Sequence, residues 1–190
     1  DLRPDRADGS WLRNQTMSFT KGTWYIKIDA HSSWASWGKT YNLTVSKPQF
    51  TGWKQVGSEW YYVINSKNAT GWTAVGGSWY YMDSKGVMQT GWLKDGSAWY
   101  YLKSSGAMIT GWTAVGGTWY YMAPSGAMKT GWVQTGGAWY YLNASGAMHT
   151  GWLQQGKTWY YLKPGGAMVT GNYIINGKVN RFSSSGAWLG

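Results

Sequence analysis

Twelve tryptophans stand at two phases of a recurring block, seven residues apart, and the second of each pair is followed at once by two tyrosines. Rings of this kind offer a negative π-face, a stacking surface and one polar edge. The chemistry within their reach is recognition: a cation held over a ring, or a sugar or base stacked on it. Bond-making chemistry finds no support. Cysteine is absent and the two histidines, His31 and His149, stand far apart, which leaves neither thiolate nor paired imidazole for a metal or a nucleophile. No nucleophile, base and orienting acid recur together, and no phosphate-cradling loop is present. The SSSG stretch at Ser183–Gly186 and Asp83 read as turn chemistry.

The block that positions these rings begins at Thr51, Thr70, Thr90, Thr110, Thr130, Thr150 and Thr170. It reads Thr-Gly-Trp, six residues with a Gly, Trp-Tyr-Tyr-Leu/Met, a short polar loop, then Gly-Ala/Val-Met. The first spacing is nineteen residues and the others are twenty, a period that signals a stacked array rather than one central core. Two domains follow: residues 1–50 and a repeat array over 51–190.

Thr110–Lys129 shows how one block folds. Gly116-Gly117 between two β-prone runs is a two-residue hairpin signal, because a primed turn needs positive φ. Val115 then pairs with Thr118, Ala114 with Trp119, Thr113 with Tyr120 and Trp112 with Tyr121. One face carries Trp112, Trp119 and Tyr121, the other Thr113, Val115, Tyr120 and Met122. The opposite face, with the Leu or Met after each Tyr-Tyr, is the expected core. Gly126 is placed for a left-handed turn, and Met128 returns the chain to the next copy. A lone hairpin is marginal in water, so the copies must stack. The expected class is all-β, with a short β segment before the array.

That segment is read from Met17 onward, where Trp24, Ile26 and Ile28 alternate against Tyr25 and Lys27, and from Tyr41–Val45. GTWYIKID followed by YNLTVS resembles the closing strands of the pre-peptidase C-terminal family, while Gly22–Ile26 also echoes the repeat at Gly156–Tyr160. Either reading makes it a cap on the first repeat. Asp1–Gln15 reads as a polar arm. No run of about 18 apolar residues is present to span a membrane. The chain opens on Asp1 without a charged-then-apolar leader, as a processed secreted polypeptide would.

Trp-Tyr-Tyr-Leu/Met, Gly-Ala-Met and Thr-Gly-Trp at this period closely resemble the choline-binding (cell-wall-binding) repeats of streptococcal surface proteins and phage lysins, over Thr51–Gly190. The resemblance implies a left-handed β-solenoid of stacked hairpins. Choline or phosphocholine is then the ligand, with no cofactor, held between consecutive repeats by two Trp of one and a Tyr of the next, often with a Met nearby. The Trp pairs would be Trp53/Trp60, Trp72/Trp79, Trp92/Trp99, Trp112/Trp119, Trp132/Trp139 and Trp152/Trp159. Alternation puts the second Tyr of each pair on the Trp face, so Tyr81, Tyr101, Tyr121, Tyr141 and Tyr161 are expected as third walls, with the first Tyr (Tyr80, Tyr100 and so on) as rival. Met88, Met108, Met128, Met148 and Met168 divide between cage lining and gap filling. In the last copy Asn172 and Val179 replace the Trp pair and Asn180-Arg181 the Tyr pair. Arg181 would then face Trp152/Trp159 and repel a cation, leaving five complete cages.

The residues suit that ligand. A quaternary ammonium has no N–H to satisfy and is drawn to ring faces, whereas a primary amine needs acceptors, and the seven copies hold only Glu59, Asp83 and Asp95 as acids. The net charge of +10 favours an anionic polymer. The expected partner is therefore choline-bearing teichoic or lipoteichoic acid, at the cell wall of a secreted Gram-positive surface protein. A homodimer through the C-terminal repeats is also expected, and catalysis is not. A glucan-binding module and the targeting module of a wall hydrolase are the alternatives. Nucleic acid is disfavoured because Lys85, Lys103, Lys129 and Lys163 occupy irregular slots instead of interleaving with the rings. His149 shares its slot with Gln89, Ile109, Lys129 and Val169, which reads as a surface position.

Overall fold

The computed structural model describes residues 48–190 in full and, before them, the backbone of three strands. These are β1 (Met17–Phe19), β2 (Gly22–Lys27) and β3 (Thr44–Ser46), in one antiparallel sheet of order β1-β2-β3. Met17 pairs with Trp24 and Ile26 with Val45. The run at Trp24–Ile28 falls in β2 as far as Lys27, and the run at Tyr41–Val45 meets β3 at Thr44 and Val45. The polar arm, and Ile28 and residues 41–43 of the predicted runs, lie outside the described residues.

Two compact units divide the chain: Asp1–Lys54 with Tyr62–Asn68, and Gln55–Tyr61 with Ala69–Gly190. The strands β4 (Gly52–Val56), β5 (Glu59–Ile64) and β6 (Lys67–Asn68) come next; Val63 pairs with Asn68 and Ile64 with Lys67 across a turn at Asn65 and Ser66. Both have left-handed φ, 49° and 63°, a primed turn built without glycine. The turn is tied down from outside: Asn65 N–H donates to Thr51 Oγ1 and Phe50 N–H to Ser66 Oγ, both at 3.0 Å. The first copy, one residue short, replaces the polar loop and Gly-x-Met of its siblings with this turn.

The second unit is a stack of two-stranded hairpins, with no helix among the described residues. They are β7 (Gly71–Val75) with β8 (Ser78–Met82), β9 (Gly91–Asp95) with β10 (Ala98–Leu102), and β11 (Gly111–Val115) with β12 (Thr118–Met122). β13 (Gly131–Thr135) with β14 (Ala138–Leu142), β15 (Gly151–Gln155) with β16 (Thr158–Leu162), and β17 (Gly171–Ile175) with β18 (Lys178–Phe182) complete it. The register of β11 and β12 is the one expected, from Val115↔Thr118 to Trp112↔Tyr121. Gly116 and Gly117 both have positive φ, 58° and 79°, as a type I′ turn demands. At Gly156-Lys157 only the Gly is left-handed, at 60°, which tolerates the lysine.

After each hairpin the chain folds back on itself. Ala123 N–H donates to Ala127 O, and Gly126 N–H to Ala123 O. Met122 and Met128 then form an isolated antiparallel bridge, and Lys129 N–H reaches Tyr121 O at 2.8 Å. The residue after each Tyr-Tyr forms the core: Met82, Leu102, Met122, Leu142 and Leu162 are all 0% exposed. Burying such a side chain stabilises by roughly 1.5–3 kcal/mol. The slot of His149 is a surface one only in part, since Lys129 is exposed there while Gln89 and Ile109 are half-buried. Val169 there is 1% exposed and packs with Ile175 and Phe182, while His149 is half-buried, edge-on to Tyr141 at 6.3 Å. The slot follows the bridge and is drawn inward by its hydrogen bond to the second Tyr, so it accepts apolar and polar residues alike.

Candidate functional site

The joint between neighbouring hairpins is set by one backbone hydrogen bond repeated along the stack. Met108 N–H donates to Trp79 O, Met128 to Trp99 O, Met148 to Trp119 O and Met168 to Trp139 O, at 2.7–2.8 Å. Each ties the returning segment of one repeat to the second Trp of the repeat before it. The loop glycine then seats on the previous methionine. A Cβ at Gly106, Gly126, Gly146, Gly166 or Gly186 would collide with Met88, Met108, Met128, Met148 or Met168 respectively. This close approach explains why the sequence pairs Gly with Met two residues later, once per repeat.

At one such joint a cavity is lined by Trp132, Trp139, Tyr160, Met168, Ser184 and Ser185. Three successive repeats contribute. Trp132 on β13 and Trp139 on β14 share a face and meet nearly at right angles, 6.4 Å between centroids and 84° between planes. Tyr160 of the next hairpin closes the third side, 5.0 Å from Trp132, with Met168 beneath it. The same corner recurs. Trp92 and Trp99 are 6.3 Å apart and Trp112 and Trp119 6.5 Å; Tyr120 lies 4.8 Å from Trp92 and Tyr140 4.7 Å from Trp112. Tyr100 stands 4.8 Å from Trp72. The second Trp of each pair is open to solvent, Trp79 and Trp119 at 48% and 47% exposure, far more than a packing residue of that size shows.

The ring arriving from the next repeat is therefore the first Tyr. Tyr81, Tyr101, Tyr121, Tyr141 and Tyr161 sit instead against the first Trp of their own hairpins, at 5.1–5.3 Å. Cross-strand pairing explains this: Trp112 is directly opposite Tyr121, so the shared face commits that ring locally. The next hairpin is turned and offers its opposite face, which carries the first Tyr. Trp53 lies 5.1 Å from Tyr62 in the first unit. Its expected companion Trp60 belongs to the second unit.

At Trp152 and Trp159, 6.2 Å apart and 83° between planes, the third ring is one the sequence reading missed. Trp188 lines this cavity with them and lies 5.5 Å from Trp152. Arg181, expected to face the pair, is opposite Asn172 and outside the lining, because it occupies the slot of the second Tyr. The available signal was positional, since Trp188 stands twenty residues after Met168, in the methionine slot.

Charge around the joints is sparse and mostly basic. Neither described cavity is lined by a carboxylate. Asp95 Oδ2 accepts the indole N–H of Trp72 at 2.9 Å, and Asp83 Oδ1 caps its own loop through Lys85 N–H and Val87 N–H. Tyr61 donates to Glu59 Oε2 at 2.6 Å. That hydrogen bond, with smaller contributions from burial and the nearby carboxylates, raises the phenol above its ordinary pKa. Lys94 Nζ rests 5.9 Å from the centroid of Trp99, so a cation of the chain itself already lies over one of these faces. Among the described residues no group of His, Cys, Asp and Glu could hold a metal, and no helix is long and apolar enough to cross a membrane.

Comparison with known proteins agrees with the fold of stacked hairpins. The choline-binding repeat model matches residues 69–110, 94–130, 109–150 and 129–173, and a putative cell wall binding repeat matches 51–66. The chain is similar to choline-binding protein F of Streptococcus pneumoniae, 45% identical over 74% of this chain and 52% of that one, with a TM-score of 0.71. It thus spans about half the length of that relative. CbpJ of Streptococcus pneumoniae TIGR4 is 37% identical over 96% of this chain and 74% of its own, at 0.72. The choline-binding domain of pneumococcal CbpL is 33% identical over 74% and 78%, at 0.58. No curated protein matches.

Proposed function

Because this chain belongs to the choline-binding repeat family, we propose that its inter-repeat cages each hold the trimethylammonium group of choline and that the array anchors the protein to choline-bearing teichoic and lipoteichoic acids. The cages are Trp72/Trp79/Tyr100, Trp92/Trp99/Tyr120, Trp112/Trp119/Tyr140 and Trp132/Trp139/Tyr160. The observation that carries the reading is the three-sided corner of ring faces at Trp132, Trp139 and Tyr160, open to solvent and lined by no carboxylate. A quaternary ammonium donates no hydrogen bond, so ring faces and a thioether meet its needs, and its methyls displace water from apolar surface.

Each ring contributes about 0.5–2 kcal/mol. One cage therefore binds free choline at roughly millimolar Kd, about −4 kcal/mol after the cost of immobilisation. Cages that recur once per repeat, facing a polymer that repeats its ligand, gain about 10²- to 10⁴-fold in avidity. The polymer's phosphates meet a chain of net charge +10, which adds attraction that salt screens. The role is attachment at the bacterial surface, and no catalytic part is assigned to the described residues.

Retention on a tertiary-amine (DEAE) resin tests the reading. Free choline should elute the protein, whereas equimolar glucose or matched NaCl should not. Elution by glucose would favour a glucan-binding module, and elution by NaCl alone would reduce the interaction to ion exchange.

A further inference from the structure

The last repeat departs from its siblings at both positions that close a cage, and the two departures compensate. Where Tyr160 stands in the sixth copy, the seventh has Asn180; where Met168 stands, it has Trp188. The backbone frame is unchanged. Trp188 N–H donates to Trp159 O at 2.8 Å, the bond that Met168 makes to Trp139 O, and Phe182 bridges Trp188 as Leu162 bridges Met168. Asn180, in the vacated tyrosine slot, accepts the indole N–H of Trp188 on its Oδ1 at 3.1 Å. The residue that gave up the ring now anchors its replacement.

We propose that Trp152, Trp159 and Trp188 form an additional site for a quaternary ammonium ion, closed from the methionine slot instead of the tyrosine slot. It rests on the reading of the inner cages as ammonium sites. Both ring pairs at Trp152 are edge-on, 83° to Trp159 and 79° to Trp188, so the three indoles wall a corner instead of stacking into one another. Trp is the strongest of the aromatic faces for a cation, and Phe182, 4% exposed and 5.9 Å from Trp152, backs the wall. The lining is three indoles, whereas the Trp132/Trp139 cage also presents the hydroxyl-bearing Tyr160, Ser184 and Ser185. The indole site therefore recognises the onium group alone. Tetramethylammonium and choline should bind it within about twofold of each other, since the choline hydroxyl finds no side-chain acceptor in the lining.

Crystals of the full chain soaked separately in choline and in tetramethylammonium read every joint at once. Ligand density between Trp152, Trp159 and Trp188 with both compounds is the expected result. Density in the four inner cages with none here would overturn this proposal and leave the attachment reading standing. Density nowhere would overturn both. Trp188→Met supplies the solution arm, because the siblings show that methionine is compatible with the backbone at this slot. With one of three rings removed, the site should weaken by about tenfold, so calorimetric stoichiometry below that Kd falls by one ligand. An unchanged stoichiometry and affinity would contradict the proposal.

Discussion

Which tyrosine closes a cage can be decided at the joint between the hairpins at 111–122 and 131–142, where the two candidates are adjacent. Tyr140 lies 4.7 Å from Trp112 of the preceding repeat. Tyr141 lies 5.3 Å from Trp132 of its own hairpin, accepts a hydrogen bond from Gln155 Nε2 at 3.2 Å and meets His149 edge-on. Tyr140→Ala removes one of three faces from the Trp112/Trp119 corner, a loss of about 0.5–2 kcal/mol, or about 2- to 30-fold in Kd. Tyr140→Phe keeps the face and should stay within about threefold, since Phe is the weaker π-donor. Tyr141→Ala should leave the Trp112/Trp119 site unchanged and instead loosen Trp132, perturbing the next cage. Indole N–H resonances of Trp112 and Trp119, followed in a choline titration, report this one site among several. Loss of their response in Tyr141→Ala, with Tyr140→Ala behaving as wild type, would refute the assignment and restore the second tyrosine as the wall.

Two further outcomes follow from the joints. Gly126→Ala drives a Cβ into Met108 at a φ of 84°, so it should cost about 1–2 kcal/mol for the left-handed backbone and about 1–3 for overpacking; in a Met108→Ala background only the first part should remain in urea unfolding, and strict additivity of the two substitutions would show that the contact is not what resists the side chain. Choline at about ten times the single-cage Kd should stabilise the array by about 1.4 kcal/mol per occupied cage, raising the melting temperature by roughly 10 °C or more in a chain of this length, while equimolar glucose or matched NaCl leaves it in place.

What lies within one repeat was legible from its residues. Gly116-Gly117 specified a primed turn, the turn specified the register, and the register placed Trp112, Trp119 and Tyr121 on one face with Met122 in the core. What lies between repeats was not. The rotation from one hairpin to the next is set by bonds such as Met128 N–H to Trp99 O, which involve main-chain atoms common to all residues and leave no mark in side-chain type. Reading the cage from one hairpin's faces therefore chose Tyr121, which faces its own Trp112, over Tyr120, which faces Trp92. The same blindness made the slot of His149 and Val169 look exposed. Burial there varies along the array, from exposed at Lys129 to deep enough at Val169 to join the core cluster.

The last copy shows why the unit of selection is the slot and not the motif. Judged by motif, a repeat with Asn172, Val179, Asn180 and Arg181 in the ring positions is degenerate. Judged by slot, losing the ring at position 180 costs the preceding pair one wall, and any residue tied to Trp159 O by its backbone can restore it if its side chain is aromatic. Trp188 meets that condition, and Asn180 is then freed to hold the indole. The rings at 172 and 179 have no such substitute: Ile174 and Val179, directly opposite one another, are 66% and 64% exposed, an aliphatic face where the earlier hairpins present indole. The seventh copy thus completes the cage behind it while presenting no aromatic corner of its own, which separates the two half-sites that every inner repeat carries together.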